Sequence, residues 1–232
     1  MKKKILVALL AVVLTVSCVI GTTLAWLVDG TETVTNVFTY GDVNIYLQEH
    51  TINTDGLTLS STLKTTKADE AFEVYGYKMI PGNSIQKDPA VVVEKDSEPS
   101  WLFVKITEEN KFSDFMTYEI AEGWTPVPGE SNVYYRKVNN TTDTTAANYN
   151  SILEKDTDPL YILKNNKVNV NSNVTKEQLT AFDTNNNGSL DTTEKNALPK
   201  LIFTAYAVQQ TGIDSVTDAW TVANNPTADI NG

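Results

Sequence analysis

Downstream of residue 30 the apolar residues come in short runs with a period of two, cut off by turn-forming residues. Trp101-Leu102-Phe103-Val104-Lys105-Ile106 is dense in β-formers, with Trp101, Phe103 and Lys105 on one face and Leu102, Val104 and Ile106 on the other. The second face is the expected core face. Leu201 to Val208 reads as a central strand, Val91-Val92-Val93 as a short buried one, and Val133 to Val138, Leu160 to Leu163 and Val168 to Val170 as others. Phe72 to Ile80 also alternates, and Val34, Asn36, Phe38 and Tyr40 share one parity ahead of Val43, Ile45 and Leu47 on another. Pro81-Gly82-Asn83, Glu98-Pro99, Pro128-Gly129 and Asp158-Pro159 mark turns. Residues 51 to 70 read as a loop or a loose edge hairpin, and residues 139 to 150 as solvated. Residues 212 to 223 place Ile213, Val216, Ala219, Trp220 and Ala223 on one side of a short helix. The expectation is an all-β chain, a jelly-roll-like β-sandwich with a short C-terminal helix.

The first 25 residues have a different character. Lys2, Lys3 and Lys4 precede an uncharged apolar run from Ile5 to Ile20, and Thr23-Leu24-Ala25 supplies a small-residue exit. That order is the signature of a secretory signal peptide over residues 1–25, with Trp26 as the new N-terminus. Residues 5 to 28 are also long enough to stay as a membrane anchor, since about 20 apolar residues span a bilayer. Cys18 is the single cysteine and lies inside the leader, so the mature chain is expected to hold no disulfide, thiolate zinc site or cysteine nucleophile. Acylation of Cys18 is disfavoured, because Thr15-Val16-Ser17 lacks the aliphatic residue usual three positions before a lipidated cysteine.

The chain has 232 residues and a formal charge of −11; without the three leader lysines it carries 15 basic and 29 acidic groups, about −14. Such a balance argues against nucleic acid, where basic patches supply most of the affinity, and favours divalent cations. The 207 residues left after position 25 suffice for one domain, 26–232, with its own core.

One motif carries sharp chemistry. Asp183 to Glu194 matches D-x-[DN]-x-[DN]-G-x5-E at every defined place. A twelve-residue loop of this pattern wraps six to eight oxygens around a hard Ca2+ ion. Asp183, Asn185 and Asn187 supply side chains at the first, third and fifth positions, Ser189 a carbonyl at the seventh, Asp191 the ninth, and Glu194 closes the site with both oxygens. Gly188 permits the central turn. Thr175 and Gln178 form a capping-box start ahead of the loop, and an exit helix from Thr192 to Leu198 stops before Pro199. Residues 171–200 are thus a helix-loop-helix insertion. Only three ligands are charged and no second loop exists to pair with Leu190, so the expected affinity is of the weak extracellular class.

Gly21 to Asp29, Glu32 to Thr39 and Gly41-Asp42-Val43-Asn44-Ile45 resemble the N-terminus of the TasA/camelysin family. Met79 to Ile85 with Lys87-Asp88-Pro89, Gly123-Trp124 with Val133-Tyr134-Tyr135, and Thr204 to Gln209 with Gly212-Ile213-Asp214 and Ala219-Trp220 are similar to later parts of that family. The resemblance covers most of the chain outside roughly 140 to 200. It implies a jelly-roll sandwich, export through a dedicated signal peptidase of Gram-positive bacteria, and extracellular fibres of the biofilm matrix built from the chain itself or related subunits. The calcium loop departs from the family pattern.

Some members are described as metallopeptidases, yet a zincin needs two histidines and a glutamate on one helical face. Here the one histidine, His50, ends a strand and reads as an exposed loop residue. No G-x-S-x-G or Ser-His-Asp set appears. The expectation is a secreted, non-enzymatic structural subunit that assembles through its N-terminal strand. A surface metallopeptidase and a calcium-stabilised adhesin are the alternatives, the latter using Trp101, Trp124, Tyr134 and Tyr135 as a glycan-binding face. Mass spectrometry of the exported protein is expected to show a chain beginning at Trp26; a chain beginning at Met1 overturns the cleavage.

Overall fold

The computed structural model covers the full chain and describes residues 28–31, 43–69, 74, 76–94, 97–139, 149–151 and 159–225. The leader, its exit and the parity Val34 to Tyr40 lie outside the described residues, as do most of 139–150 and the end of the chain.

The strands are β1 (Val28–Thr31), β2 (Ile45–Ile52), β3 (Leu59–Thr65), β4 (Ser84–Gln86), β5 (Ala90–Val93), β6 (Ser100–Glu109) and β7 (Met116–Thr117). They continue with β8 (Thr125–Pro126), β9 (Val133–Asn139), β10 (Tyr149–Ser151), β11 (Leu160–Tyr161), β12 (Lys167–Val170) and β13 (Lys200–Gln209). Between them sit short helices α1 (Thr66–Asp69), α2 (Phe112–Phe115), α3 (Lys176–Thr180), α4 (Thr192–Asn196) and α5 (Val216–Asn224). The chain is all-β in its framework. The larger sheet runs β1-β13-β6-β9-β10 with β8 added on β9, a second runs β11-β5-β2-β3, and a third runs β4-β12-β7. All pairings are antiparallel except β9 with β10.

Strand alternation decides which side chains meet. Val43, Ile45 and Leu47 from β2 and its approach, Val91 and Val93 from β5, Leu102, Val104 and Ile106 from β6, and Ala205 and Ala207 from β13 fill one core. The expected core face of β6 is therefore correct, but its other face is buried too. Trp101 and Phe103 join Tyr206, Val208, Ile213, Ala219 and Trp220 in a second cluster. The reason is α5, which lays Trp220 against Phe103 at 5.3 Å and edge-on to Tyr206 at 5.4 Å. Ser215 starts this helix by accepting a hydrogen bond from the Asp218 amide at 3.1 Å. It begins four residues later than the helix expected over 212 to 223, because Ser215 caps it, and it ends at Asn224.

Residues 51 to 70 hold the edge hairpin that was expected, β2 paired with β3. The strand expected from Phe72 to Ile80 does not form at the described positions 74 and 76–80. There the Lys78 amide donates to the Gly56 carbonyl across the hairpin turn, while the Tyr77 hydroxyl reaches inward to Glu49 at 2.5 Å. Alternation survives because inward residues still meet the core, without a ladder partner.

The chain's one arginine illustrates how tightly the framework closes. Arg136 of β9 is buried against the Trp124 ring, 5.2 Å from its centroid, and its Nε makes no hydrogen bond. Burial pulls the guanidinium down to about 10. Gly123 sits at φ 88°, where a side chain is strained, and a Cβ there would stand 2.3 Å from an Arg136 nitrogen and push the guanidinium aside.

Because Trp220 is the largest side chain that α5 buries against the larger sheet, beside Ala219, Val222 and Ala223, Trp220→Ala is expected to cost about 3–5 kcal/mol in chemical denaturation. Leu63→Ala, at an exposed position of β3, is expected to stay within about 0.5 kcal/mol.

Candidate metal centre

The segment from Asn171 to Lys200 connects β12 to β13 and is anchored at both ends. Val174 is buried in the main core, Leu179 and Phe182 pack against it, and the Phe182 ring lies 5.4 Å from Phe115. At the exit, the Asn110 side-chain amide donates to the carbonyls of Asn196 and Leu198, both at 2.8 Å. The loop between these anchors is free to face solvent.

Both short helices open on reciprocal capping boxes. Thr175 accepts from the Gln178 amide at 3.2 Å, and the Gln178 side chain accepts from the Thr175 amide at 2.8 Å. Asp191 accepts from the Glu194 amide at 2.9 Å, and Glu194 Oε2 accepts from the Asp191 amide at 2.9 Å. The entry box was legible as Thr175 and Gln178. The exit box was not, since Asp191 and Glu194 were read only as ligands.

The six expected ligand residues take these places. Asp183 is half-buried and accepts from the Asn187 amide at 3.2 Å and the Gly188 amide at 2.8 Å. Asn185 Oδ1 accepts from the Asn187 amide at 3.1 Å. Asn187 Oδ1 accepts from the Ser189 amide and hydroxyl at 2.8 and 3.0 Å. Glu194 is buried, and its Oε1 reaches across to the loop's start, accepting from the Thr184 amide at 2.8 Å, the Thr184 hydroxyl at 2.7 Å and the Asn185 amide at 3.2 Å. Asn186 at φ 56° and Gly188 at φ 80° make the reversal, and a Cβ at 188 would meet nothing, so glycine is there for its backbone freedom alone.

Glu194 thus joins the two ends of the loop. Asp183, Asp191 and Glu194 do not converge on one point; among the described residues no three His, Cys, Asp or Glu side chains form a metal-holding group. The loop's own amides take up the oxygens instead. As a donor set it is all oxygen, carboxylate, amide and carbonyl, which fits a hard cation and not zinc.

His50 is placed differently from the expectation. It lies inside β2 and is half-buried, with Nδ1 2.7 Å from Asp88 Oδ2 while its amide donates to Asp88 Oδ1 at 3.0 Å. The expectation of an exposed loop residue is corrected: the antiparallel register of β2 and β5, Gln48 opposite Ala90, carries on to bring Asp88, in the approach to β5, opposite His50. The four aromatic residues also part company. Trp101 and Trp124 are buried in different clusters, and Tyr134 and Tyr135 are half-buried, so they do not share one open face.

A second polar cluster was missed. Glu49, buried in β2, accepts from Lys87 Nζ at 2.7 Å and from the Tyr77 hydroxyl at 2.5 Å. Lys87 Nζ also lies 4.9 Å from the centre of the Tyr77 ring. Burial, together with the Glu49 charge, pushes the Tyr77 phenol far above its ordinary range. Its signal was present: Val43, Ile45, Leu47 and Glu49 share one inward parity.

No protein-family model, no curated protein and no solved structure matches this chain.

Hydrogen bonds from the Asp191 amide and the Thr184 hydroxyl hold the Glu194 carboxyl below its ordinary range. A lowered carboxylate contributes stability above its unfolded value, about 4.3, and loses it as the pH falls through the folded value. Glu194→Gln cannot ionise. Hydrogen exchange at the Thr184 and Asn185 amides is expected to quicken at neutral pH in this variant, and the acid sensitivity of those amides to disappear. Unchanged protection overturns the role.

Proposed function

We propose that the chain is an exported, non-enzymatic structural subunit of a surface or matrix assembly, joined to its neighbours by its N-terminal strand and stapled by one calcium loop. The observation that carries the reading is the position of β1. Four residues, Val28–Thr31, form an end strand of the larger sheet and pair antiparallel with β13, Val28 with Val208 and Thr31 with Ala205. A short end strand contributed by the chain's own N-terminal segment is a removable one. Withdrawn, it leaves the backbone of Ala205 to Val208 open on one side, and the same segment of a sister copy satisfies the same amides and carbonyls. The register is portable because β1 contributes its main chain first. Export supports the order of events, since clipping after Ala25 frees this end only outside the cell.

A jelly-roll sandwich is the architecture this reading implies. The two principal sheets sharing one core are compatible with it, and the resemblance to the TasA/camelysin family points the same way.

The loop from Asp183 to Glu194 takes Ca2+ in this reading, held by Asp183, Asn185, Asn187, the Ser189 carbonyl, Asp191 and Glu194. Its support is the complete ligand spacing together with the way Glu194 already spans both ends of the loop. The ion replaces amide contacts with cation–oxygen contacts and stabilises an insertion that has only α3 and α4 of its own. Calorimetry is expected to give one site with a dissociation constant on the order of 10⁻⁴ to 10⁻³ M. No heat at millimolar Ca2+ refutes it.

Strand exchange is tested by cross-linking. Chains carrying Thr31→Cys are mixed with chains carrying Ala205→Cys, positions that face each other across β1 and β13, within reach of a disulfide. Exchange is expected to give covalent pairs between the two chains and fibres by negative-stain microscopy. Mixed chains that stay strictly monomeric at high concentration overturn the reading.

A further inference from the structure

The sequence contains two Asn-Gly dipeptides, Asn187-Gly188 and Asn231-Gly232, and the first sits in the middle of the loop between α3 and α4. An asparagine side chain is chemically labile. The main-chain nitrogen of the next residue can attack its carbonyl carbon and close a cyclic imide. A glycine in that next place has no Cβ to shield the nitrogen. In a folded loop the outcome depends on how three atoms are held: the nitrogen that attacks, the oxygen that gathers charge and the nitrogen that leaves.

This loop holds all three in the favourable sense. Asn187 Oδ1 accepts from the Ser189 amide at 2.8 Å and from the Ser189 hydroxyl at 3.0 Å. Two donors therefore point at the oxygen on which negative charge develops as its carbon becomes tetrahedral, the arrangement of an oxyanion hole. The Gly188 N–H donates to Asp183 Oδ2 at 2.8 Å, which draws electron density onto the attacking nitrogen. Asn187 Nδ2, the leaving nitrogen, donates to nothing among the described residues. The Asn187 amide is pinned by Asp183 and Asn185 at 3.2 and 3.1 Å, so its side chain folds forward over a fixed backbone. Asn187, Gly188 and Ser189 are exposed, and the space where a Cβ of Gly188 would stand is open. Water thus reaches the site. Asn185 and Asn186 are each followed by another asparagine, whose Cβ shields the nitrogen, and Asn185 Oδ1 accepts from one amide only.

We propose that Asn187 is a self-modification site, converted by its own loop into an acidic residue. The Gly188 nitrogen bonds to Asn187 Cγ and gives up its proton, the Cγ–Nδ2 bond breaks, and that nitrogen leaves with the proton as ammonia. Water then opens the imide, and nothing is oxidised or reduced. Attack at Cγ restores the main chain and leaves aspartate at position 187. Attack at the main-chain carbonyl leaves isoaspartate, with the chain rerouted through the side chain and one methylene longer at the reversal formed by Asn186 and Gly188. Either product adds negative charge to a loop that already carries Asp183, Asp191 and Glu194. The step uses no metal, so it stands apart from the calcium reading, and a chelator in the test keeps the two separate.

The whole chain is kept at neutral pH with chelator, sampled over weeks, digested and mapped by mass spectrometry, with aspartate and isoaspartate peptides separated by chromatography. The peptide holding Asn187 is expected to exchange amide for acid roughly threefold to tenfold faster in the folded chain than in the same chain in guanidinium chloride, the ratio that one net hydrogen bond on the developing charge supplies. Ser189→Ala, on an exposed side chain, is expected to slow the folded chain roughly threefold and to leave the rate in guanidinium chloride unchanged. Asp183→Asn, a weaker acceptor for the Gly188 amide, is expected to slow the folded chain as well. An Asn187 that stays intact, a folded rate at or below the rate in guanidinium chloride, or either variant converting at the parent rate while folded each overturn the proposal.

Discussion

The pairing of β6 with β13 is the constraint on which the rest of the molecule depends. Ten residue pairs run in unbroken register from Lys200 opposite Glu109 to Gln209 opposite Ser100. Where Ser100–Val104 meets Ala205–Val208 the two strands are buried on both faces, Leu102, Val104, Ala205 and Ala207 toward one cluster and Trp101, Phe103, Tyr206 and Val208 toward the other. A ladder in that position has no access to water, so every amide and carbonyl must find its partner within the sheet. The consequence is a rigid spine. Small residues at Ala205 and Ala207 let the opposing sheet approach, while the large rings on the reverse side make room for α5. Both layers are thereby set by which parity carries alanine and which carries aromatic rings.

Much of this was legible because strand parity is a local property. Leu102, Val104 and Ile106, the central character of 201 to 208 and the helix opened by Thr175 and Gln178 follow from period and capping alone. What sequence could not supply was the partner of each face. Nothing local to Trp101 or Phe103 announces that Trp220, more than a hundred residues later, covers them. Phe72 to Ile80 shows the converse failure, since its alternation is genuine but no neighbouring strand receives it, and its amide bonds go to a turn instead. Glu49 sat in an inward parity and was overlooked because acids are read as solvated by default. A buried acid of that kind demands a donor, and Lys87 and Tyr77 provide two.

The polar interior around β2 has a shared logic. Glu49 and His50 are consecutive, so they point to opposite faces of their strand, and the consecutive Lys87 and Asp88 answer them in turn. Two neighbouring dipeptides thus clamp β2 to the approach of β5, with the Glu49–Lys87 ion pair on one side and the His50–Asp88 hydrogen bonds on the other. The cost of taking those groups from water is offset only if all remain paired. Pro89 immediately follows, and its fixed φ holds the approach in place.

Strand β13 also connects the two features that bear on function, because its first residue follows the loop insertion and its later residues receive β1. Whether a cation at the loop could change the edge is a mechanical question. From Lys200 to Ala205 is five residues, about 17 Å of strand, and each is tied to β6. Moving that ladder means breaking backbone hydrogen bonds between half-buried stretches, each worth about 0.5–1.5 kcal/mol net. A weak extracellular calcium site supplies only about 4–5.5 kcal/mol at a 1 M standard state, which about five such bonds consume. The loop is instead joined to the framework through Phe182 on Phe115 and through the Asn110 clasp, contacts that hold it in place without loading the spine. An ion bound there, as the proposed function has it, would stiffen the insertion and stop at the first rungs of β13, which argues for a staple rather than a switch.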